Sequence, residues 1–146
     1  MTVRENLTVR PARPFRIEEA AAIADLYNAG YHAEGSPFHV SAEEMVMYLE
    51  APGFNVETDS FAIEQDGTLV AIGDLEFSDK TGRAWASGAV HPEYRRQGLG
   101  TQLIGLGEKR TLEWAATALS ENQPLQIQRY CSHNNAAAIR LFEAHG

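Results

Sequence analysis

The residues best suited to chemistry cluster in one stretch, Val90-His91-Pro92-Glu93-Tyr94-Arg95-Arg96-Gln97-Gly98-Leu99-Gly100-Thr101. A small-residue apolar segment, Ala84 to Val90, runs into His91-Pro92. Proline ends a strand because it has no amide proton for the ladder. Two arginines follow, then Gly98 and Gly100, then a long run of helical character. The first-turn amides of a helix have no partners within it, and glycine lets the backbone come close to a ligand. Arginine adds charge-assisted hydrogen bonds to phosphate. Together these parts make an anion cradle, and the ligand it suits carries a pyrophosphate.

Spacing narrows that ligand. A dinucleotide fingerprint requires a third glycine three residues after the second, where this chain has Leu103. A phosphate-binding Walker loop requires Gly-Lys-Ser/Thr, whereas Gly105 is followed by Leu106. Neither pattern is met. The pattern that is met is Arg-x-x-Gly-x-Gly, spanning Arg95 to Gly100.

Composition sets the outer limits. A chain of 146 residues, 44% apolar and 22% charged, reads as one globular domain over 1–146 with a loose polar arm over 1–6. A net charge of −8 disfavours nucleic acid as a partner. No apolar run approaches the ~20 residues of a membrane span. The N-terminus lacks the apolar core of a signal peptide. The one cysteine, Cys131, cannot form an internal disulfide, and metal-ligand spacings are absent. A cytoplasmic protein without a metal is expected.

The elements that position the cradle follow from periodicity and punctuation. Leu7 to Arg10 alternates as a first strand, ended by Pro11 and Pro14. Ile17 to Ala29 reads as a helix with Ala20, Ile23, Ala24 and Tyr27 on one face and Gly30 as its stop. The capping box Ser41-Ala42-Glu43-Glu44 opens a second helix, with Met45, Tyr48 and Leu49 turned inward, and Pro52-Gly53 breaks it. Phe61 to Glu64, the Asp66-Gly67 turn and Leu69 to Phe77 form a hairpin. On its second strand Leu69, Ala71, Gly73, Leu75 and Phe77 share one face, and Val70, Ile72, Asp74 and Glu76 the other. Gly88 in the strand Ala84 to Val90 suggests a bulge or a close backbone approach by a ligand. The long helix after Gly98 buries Leu99, Leu103 and Leu106, and its interior Gly105 and Gly107 suggest close packing against the sheet. Leu125 to Tyr130 alternates as a further strand, and Asn134 or Asn135 caps a last helix, Ala136 to Ala144.

Two of these segments resemble the GNAT superfamily of acyl-CoA-dependent N-acyltransferases. Arg95 to Gly100, placed after a strand ending Val90-His91-Pro92, is similar to that family's CoA-binding motif. Asn135-Ala136-Ala137-Ala138-Ile139-Arg140-Leu141-Phe142-Glu143-Ala144-His145-Gly146 is similar to its C-terminal Asn-x-x-Ala-x-x-Leu-Tyr-Glu-x-x-Gly pattern. The resemblance covers nearly the whole chain from Leu7. It implies an α/β fold with a central mixed, mostly antiparallel sheet flanked by helices, here lacking the last two strands. It implies acetyl-CoA as the acyl donor, an amine as acceptor, and a cofactor site of Ala89, Val90, Arg95, Arg96, Gln97, Gly98, Leu99, Gly100, Thr101, Asn135 and Phe142. The acceptor is a small-molecule or protein amine, and His32, Glu34 and His39 fall where the family's acceptor loop lies.

Two departures qualify the resemblance. Phe142 occupies the position of a family tyrosine that protonates the departing thiolate, a step phenylalanine cannot perform, and Tyr94, Tyr130 and Ser132 are the conceivable substitutes. The chain also stops at Gly146, where the family continues with two more strands, which suggests part of a longer protein, such as the first half of a tandem pair; a homodimer is the other assembly considered. An amine of lysine type has a pKa near ~10.4 and must lose a proton before it attacks a thioester. Glu76 and Asp74 are the candidate bases, acting through water; the plain alternative for both is a solvated strand end. Backbone amides near Val90 would stabilise the developing oxyanion. His91 reads as a strand-end residue, and Trp85 and Trp114 as packing. A rival reading is a catalytically degenerate domain that binds CoA, or nothing, and serves as a structural or regulatory half.

Overall fold

The computed structural model describes residues 9–129 and Glu143. The elements are α1 (Ala20–Ala33), α2 (Ala42–Leu49), α3 (Val56–Asp59), β1 (Ser60–Gln65), β2 (Thr68–Ser78), β3 (Arg83–Val90), α4 (Leu99–Ala118) and β4 (Gln126–Arg129), with short 3₁₀ turns at Ile17–Glu19 and Pro92–Tyr94. The expected last helix, together with Tyr130, Cys131, Ser132, Asn135 and Phe142, lies outside the described residues.

The first helix shows how two glycines compete to end a helix. Gly30 does not stop α1, which runs on to Ala33. The stop is Gly35, at φ +72°. The Gly35 amide donates to the His32 carbonyl (3.0 Å) and the Ser36 amide to the Tyr31 carbonyl (2.9 Å), the double closure of a Schellman motif. An interior glycine costs about 1 kcal/mol relative to alanine, which the burial of Ile23, Leu26 and Tyr27 on α1 outweighs. The second helix starts as expected: the Glu44 amide donates to Ser41 Oγ (3.0 Å), and the Ser41 amide donates back to Glu44 Oε1 (3.2 Å). The short α3, capped by Asn55, has no apolar period and was not anticipated.

The sheet has the order β1-β2-β3-β4. Pairs β1–β2 and β2–β3 are antiparallel and β3–β4 is parallel, so the sheet is mixed. Asp66 (φ 54°) and Gly67 (φ 78°) make the tight hairpin turn, both left-handed as a type I′ turn requires. The expected first strand over Leu7 to Arg10 is not seen in its described part. Instead Arg13, between the two prolines, makes an isolated bridge to Ala62.

Strict alternation along β2 fails at one point. Ile63 pairs with Ala71 and Glu64 with Leu69, leaving Val70 without a partner on β1. The irregularity expected at Gly88 is thus at Val70, and the Gly73–Gly88 pair is regular. Adding one residue flips the side chains beyond it. Ile72, and Leu69 at its margin, therefore pack in the core with α1 and α2, which contains Phe15, Ile23, Leu26, Met45 and Leu49. Val70 and Ala71 pack in a second core with Leu99 of α4.

On α4 the buried positions are Leu99, Ile104, Gly107 and Thr111, rather than the Leu99, Leu103 and Leu106 set. A Cβ on Gly107 would stand 3.6 Å from Leu75, so close packing accounts for that glycine, but Gly105 has nothing within 4 Å and is not so explained. Trp114 stacks on Phe77 (4.4 Å between centroids) as a packing residue, whereas Trp85 is 36% exposed.

Candidate active site

The cradle stands at the end of β3. The His91 amide donates to the Val70 carbonyl (2.8 Å), and His91 Nδ1 accepts from the Glu93 amide (3.1 Å), so His91 caps the turn rather than serving as a base. The chain then reverses through Arg96 at φ 63° and Gly98 at φ 78°. Gly98 is the N-cap of α4 and supplies no side chain to the helix start. The amides of the first turn are therefore left for an anion, at the positive end of the helix dipole.

A cavity of about 560 Å³ opens from this turn. Arg95, Arg96, Gly98, Leu99, Gly100 and Thr101 line the end of it at this turn, and Ser87 to Val90 line one wall. The β4 ladder reaches β3 only as far as Ala86 among the described residues. The last four residues of β3 thus present backbone to the cavity without a β4 partner among the described residues. Gly73 and Gly88 face each other across β2 and β3 and make room for Leu103, whose methyls lie 3.3 and 3.6 Å from where their Cβ atoms would be. That close approach is by Leu103 and the Ile72 carbonyl, not only by a ligand.

The opposite end of the cavity reaches Asp74, which is 5% exposed. Two tyrosines from different helices donate to its carboxylate: Tyr27 of α1 to Oδ2 (2.5 Å) and Tyr48 of α2 to Oδ1 (2.8 Å). Burial pushes the Asp74 carboxyl up to about 6, against the two tyrosine hydrogen bonds that lower it, and the Glu76 charge adds to the rise. Burial and the Asp74 charge hold both phenols well above the usual tyrosine range, so they remain donors. A second cavity of about 320 Å³ adjoins the first and shares Tyr27, Tyr31, Asp74 and Ser87 with it. Asp74 sits where the two spaces meet.

A model of the acetyltransferase (GNAT) family matches residues 20–146. The chain belongs to this family. A GCN5-related N-acetyltransferase from Sphaerobacter thermophilus superposes with a TM-score of 0.83 at 30% identity over 93% of the chain, which spans only 42% of that protein. The yncA protein from Salmonella typhimurium, solved with its cofactor acetyl-CoA, gives 0.70 at 20% identity, covering 95% of this chain and 79% of that one. The ribosomal-protein-S18-alanine N-acetyltransferase from Escherichia coli gives 0.68 at 19% identity, covering 94% and 77%. A comparison with curated protein sequences finds no match.

In the GNAT fold of this chain, the expected cofactor residues Ala89, Val90, Arg95, Arg96, Gly98, Leu99, Gly100 and Thr101 are brought to one cavity. Gln97 is not among its lining: its Oε1 accepts from Arg10 Nη2 (2.5 Å), tying the N-terminal segment to the turn. Asn135 and Phe142 lie outside the described residues. Glu34 lines the cavity, but His32 and His39 are exposed and line neither space, because α1 continues through His32 and turns it outward. Glu76 is exposed, within reach of Tyr48 of α2, and also lines neither. Of the substitutes for the missing family tyrosine, Tyr94 lines the main cavity. Sequence reasoning missed the roles of Tyr27 and Tyr48. The tyrosines fall on apolar helix faces, yet a buried phenol requires a partner, and Asp74 is one of two acidic residues in the apolar run of β2. Among the described residues no group of His, Cys, Asp and Glu could hold a metal, and no helix is long and apolar enough to cross a membrane.

Proposed function

We propose that the chain is an N-acetyltransferase domain that moves the acetyl group of acetyl-CoA to a primary amine by direct attack. The observation that carries this reading is the continuity of one cavity from the Arg95–Gly100 turn, along Ser87 to Val90 of β3, to Asp74. Acetyl-CoA supplies an activated thioester when bound. Arg95, Arg96 and the first-turn amides of α4 hold its pyrophosphate, and the backbone of Ser87 to Val90 aligns its pantetheine arm.

Asp74 accepts the proton that the attacking ammonium must lose, directly or through one water. The carboxylate is ionised above about pH 6, where it can act as a base. The amine nitrogen then forms a bond to the acyl carbon as the C–S bond breaks. The electron pair departs on sulfur, and the second proton that the nitrogen sheds on becoming an amide passes to that sulfur through the Tyr94 hydroxyl or solvent. The amide product and free CoA leave. The exposed position of Glu76 favours Asp74 as the base.

Calorimetric titration of acetyl-CoA into the chain and into Arg95→Ala tests the donor site, and thiol release across a panel of primary amines tests transfer. Binding weakened about tenfold in the variant, with amine-dependent thiol release by the wild type, is the expected result. A folded chain that binds no CoA would refute the reading.

A further inference from the structure

The two cavities differ in charge. The main one carries Arg95, Arg96 and Arg129 beside Glu34 and Asp74, whereas the smaller one is lined by Glu44, Asp74 and three tyrosines, with no lysine, arginine or histidine. A space of this composition stabilises an ammonium through carboxylate charge and tyrosine rings. It offers nothing to pair with a carboxylate on the ligand, whose burial there would leave an unpaired charge.

The walls of the smaller space are held in place. Asn28 Nδ2 donates to the Val40 carbonyl (2.7 Å) and the Val40 amide donates to Asn28 Oδ1 (2.8 Å), fixing the α1–α2 connection that lines it. Glu44 is positioned by the capping box of α2, and Tyr48 by its bond to Asp74. At about 320 Å³ the space is near the lower end of small-molecule pockets, ~300–1,000 Å³.

Resting on the transferase reading, we propose that the acceptor is a small aliphatic di- or polyamine without a carboxylate. Its reacting nitrogen sits at Asp74, and its second ammonium lies toward Glu44 among the tyrosines. The reacting nitrogen gives its proton to Asp74 and takes the acyl group as described above, while the second nitrogen keeps its charge throughout. Glu44 is then a specificity-determining residue and takes no part in the proton transfer.

Cadaverine and L-lysine isolate the point, since they differ only by the carboxylate. Calorimetry of each into the full chain, with and without CoA, is repeated on Glu44→Gln, a change that keeps the capping box because glutamine can also close it. The expected result is cadaverine binding at least about tenfold tighter than lysine, with cadaverine weakened about tenfold in the variant and CoA affinity unchanged. Lysine binding as well as cadaverine, no binding of either amine, or cadaverine affinity unaffected by Glu44→Gln would each overturn the inference. Loss of CoA binding in the wild type, with Glu44-dependent cadaverine binding retained, would instead overturn the transferase reading.

Discussion

Replacing Asp74 by asparagine separates the catalytic from the structural meaning of the buried carboxylate. The Asp74 pKa is raised from 3.8 to about 6, chiefly by burial. A rise of that size corresponds to about 3 kcal/mol held against the folded state whenever the group is ionised. The sign follows from the two states. The folded protein binds the proton more tightly than the unfolded chain, so wild-type stability increases as pH falls from about 6 toward 3.8. Above 6 the full cost is present. The amide of asparagine is neutral, can accept from one tyrosine and can donate to the oxygen of the other.

Asp74→Asn is therefore expected to be more stable than wild type at pH 8 by about 1–3 kcal/mol, the lower value allowing for weaker hydrogen bonds once the charge is gone. For a chain of this length that is a rise in Tm of roughly 3–9 °C. The gain should close between about pH 6 and pH 4. Amine-dependent thiol release should fall by ~10²–10⁴ at the same time. Thermal unfolding at a series of pH values, with turnover measured on the same samples, gives both quantities. A variant less stable than wild type at pH 8, or one that retains wild-type turnover, would refute the reasoning.

Tyr27→Phe removes a donor that lowers the Asp74 pKa, so the acid limb of the rate profile should move above pH 6, with stability at pH 8 lower by about 1–3 kcal/mol; an unmoved limb in pH–rate measurements would argue against Asp74 as the base. Gly82→Ala places a Cβ 2.0 Å from the Pro124 carbonyl oxygen at φ +70°, and a loss of at least about 2 kcal/mol is expected in denaturant unfolding. Because Gly82 also anchors β4 through the Gln126 amide (2.9 Å), hydrogen exchange in that variant should rise first in β4.

Punctuation and short-range chemistry were legible without coordinates. Ser41 and Glu44 close a helix start because both partners lie within one turn, and Asp66-Gly67 makes a hairpin because both residues tolerate positive φ. The cradle from Arg95 to Gly100 was likewise visible, since its parts are adjacent in sequence and the helix start brings its own unpaired amides. The choice between Gly30 and Gly35 as the end of α1 was not visible, because it depends on how much burial on α1 offsets the cost of an interior glycine.

The chain's own order of residues thus determined the family, the Arg95–Gly100 turn and the hairpin from β1 to β2, all of which rest on neighbours within a few positions. Only the tertiary structure decided which carboxylate matters. Asp74 and Glu76 are equivalent by period, yet Tyr27 and Tyr48, 47 and 26 residues distant, both donate to the first, which is buried, while the second stays exposed. Packing of α1 and α2 across one face of the sheet makes that difference. Desolvation depends on what covers a residue, and that is a property of elements far apart in the sequence.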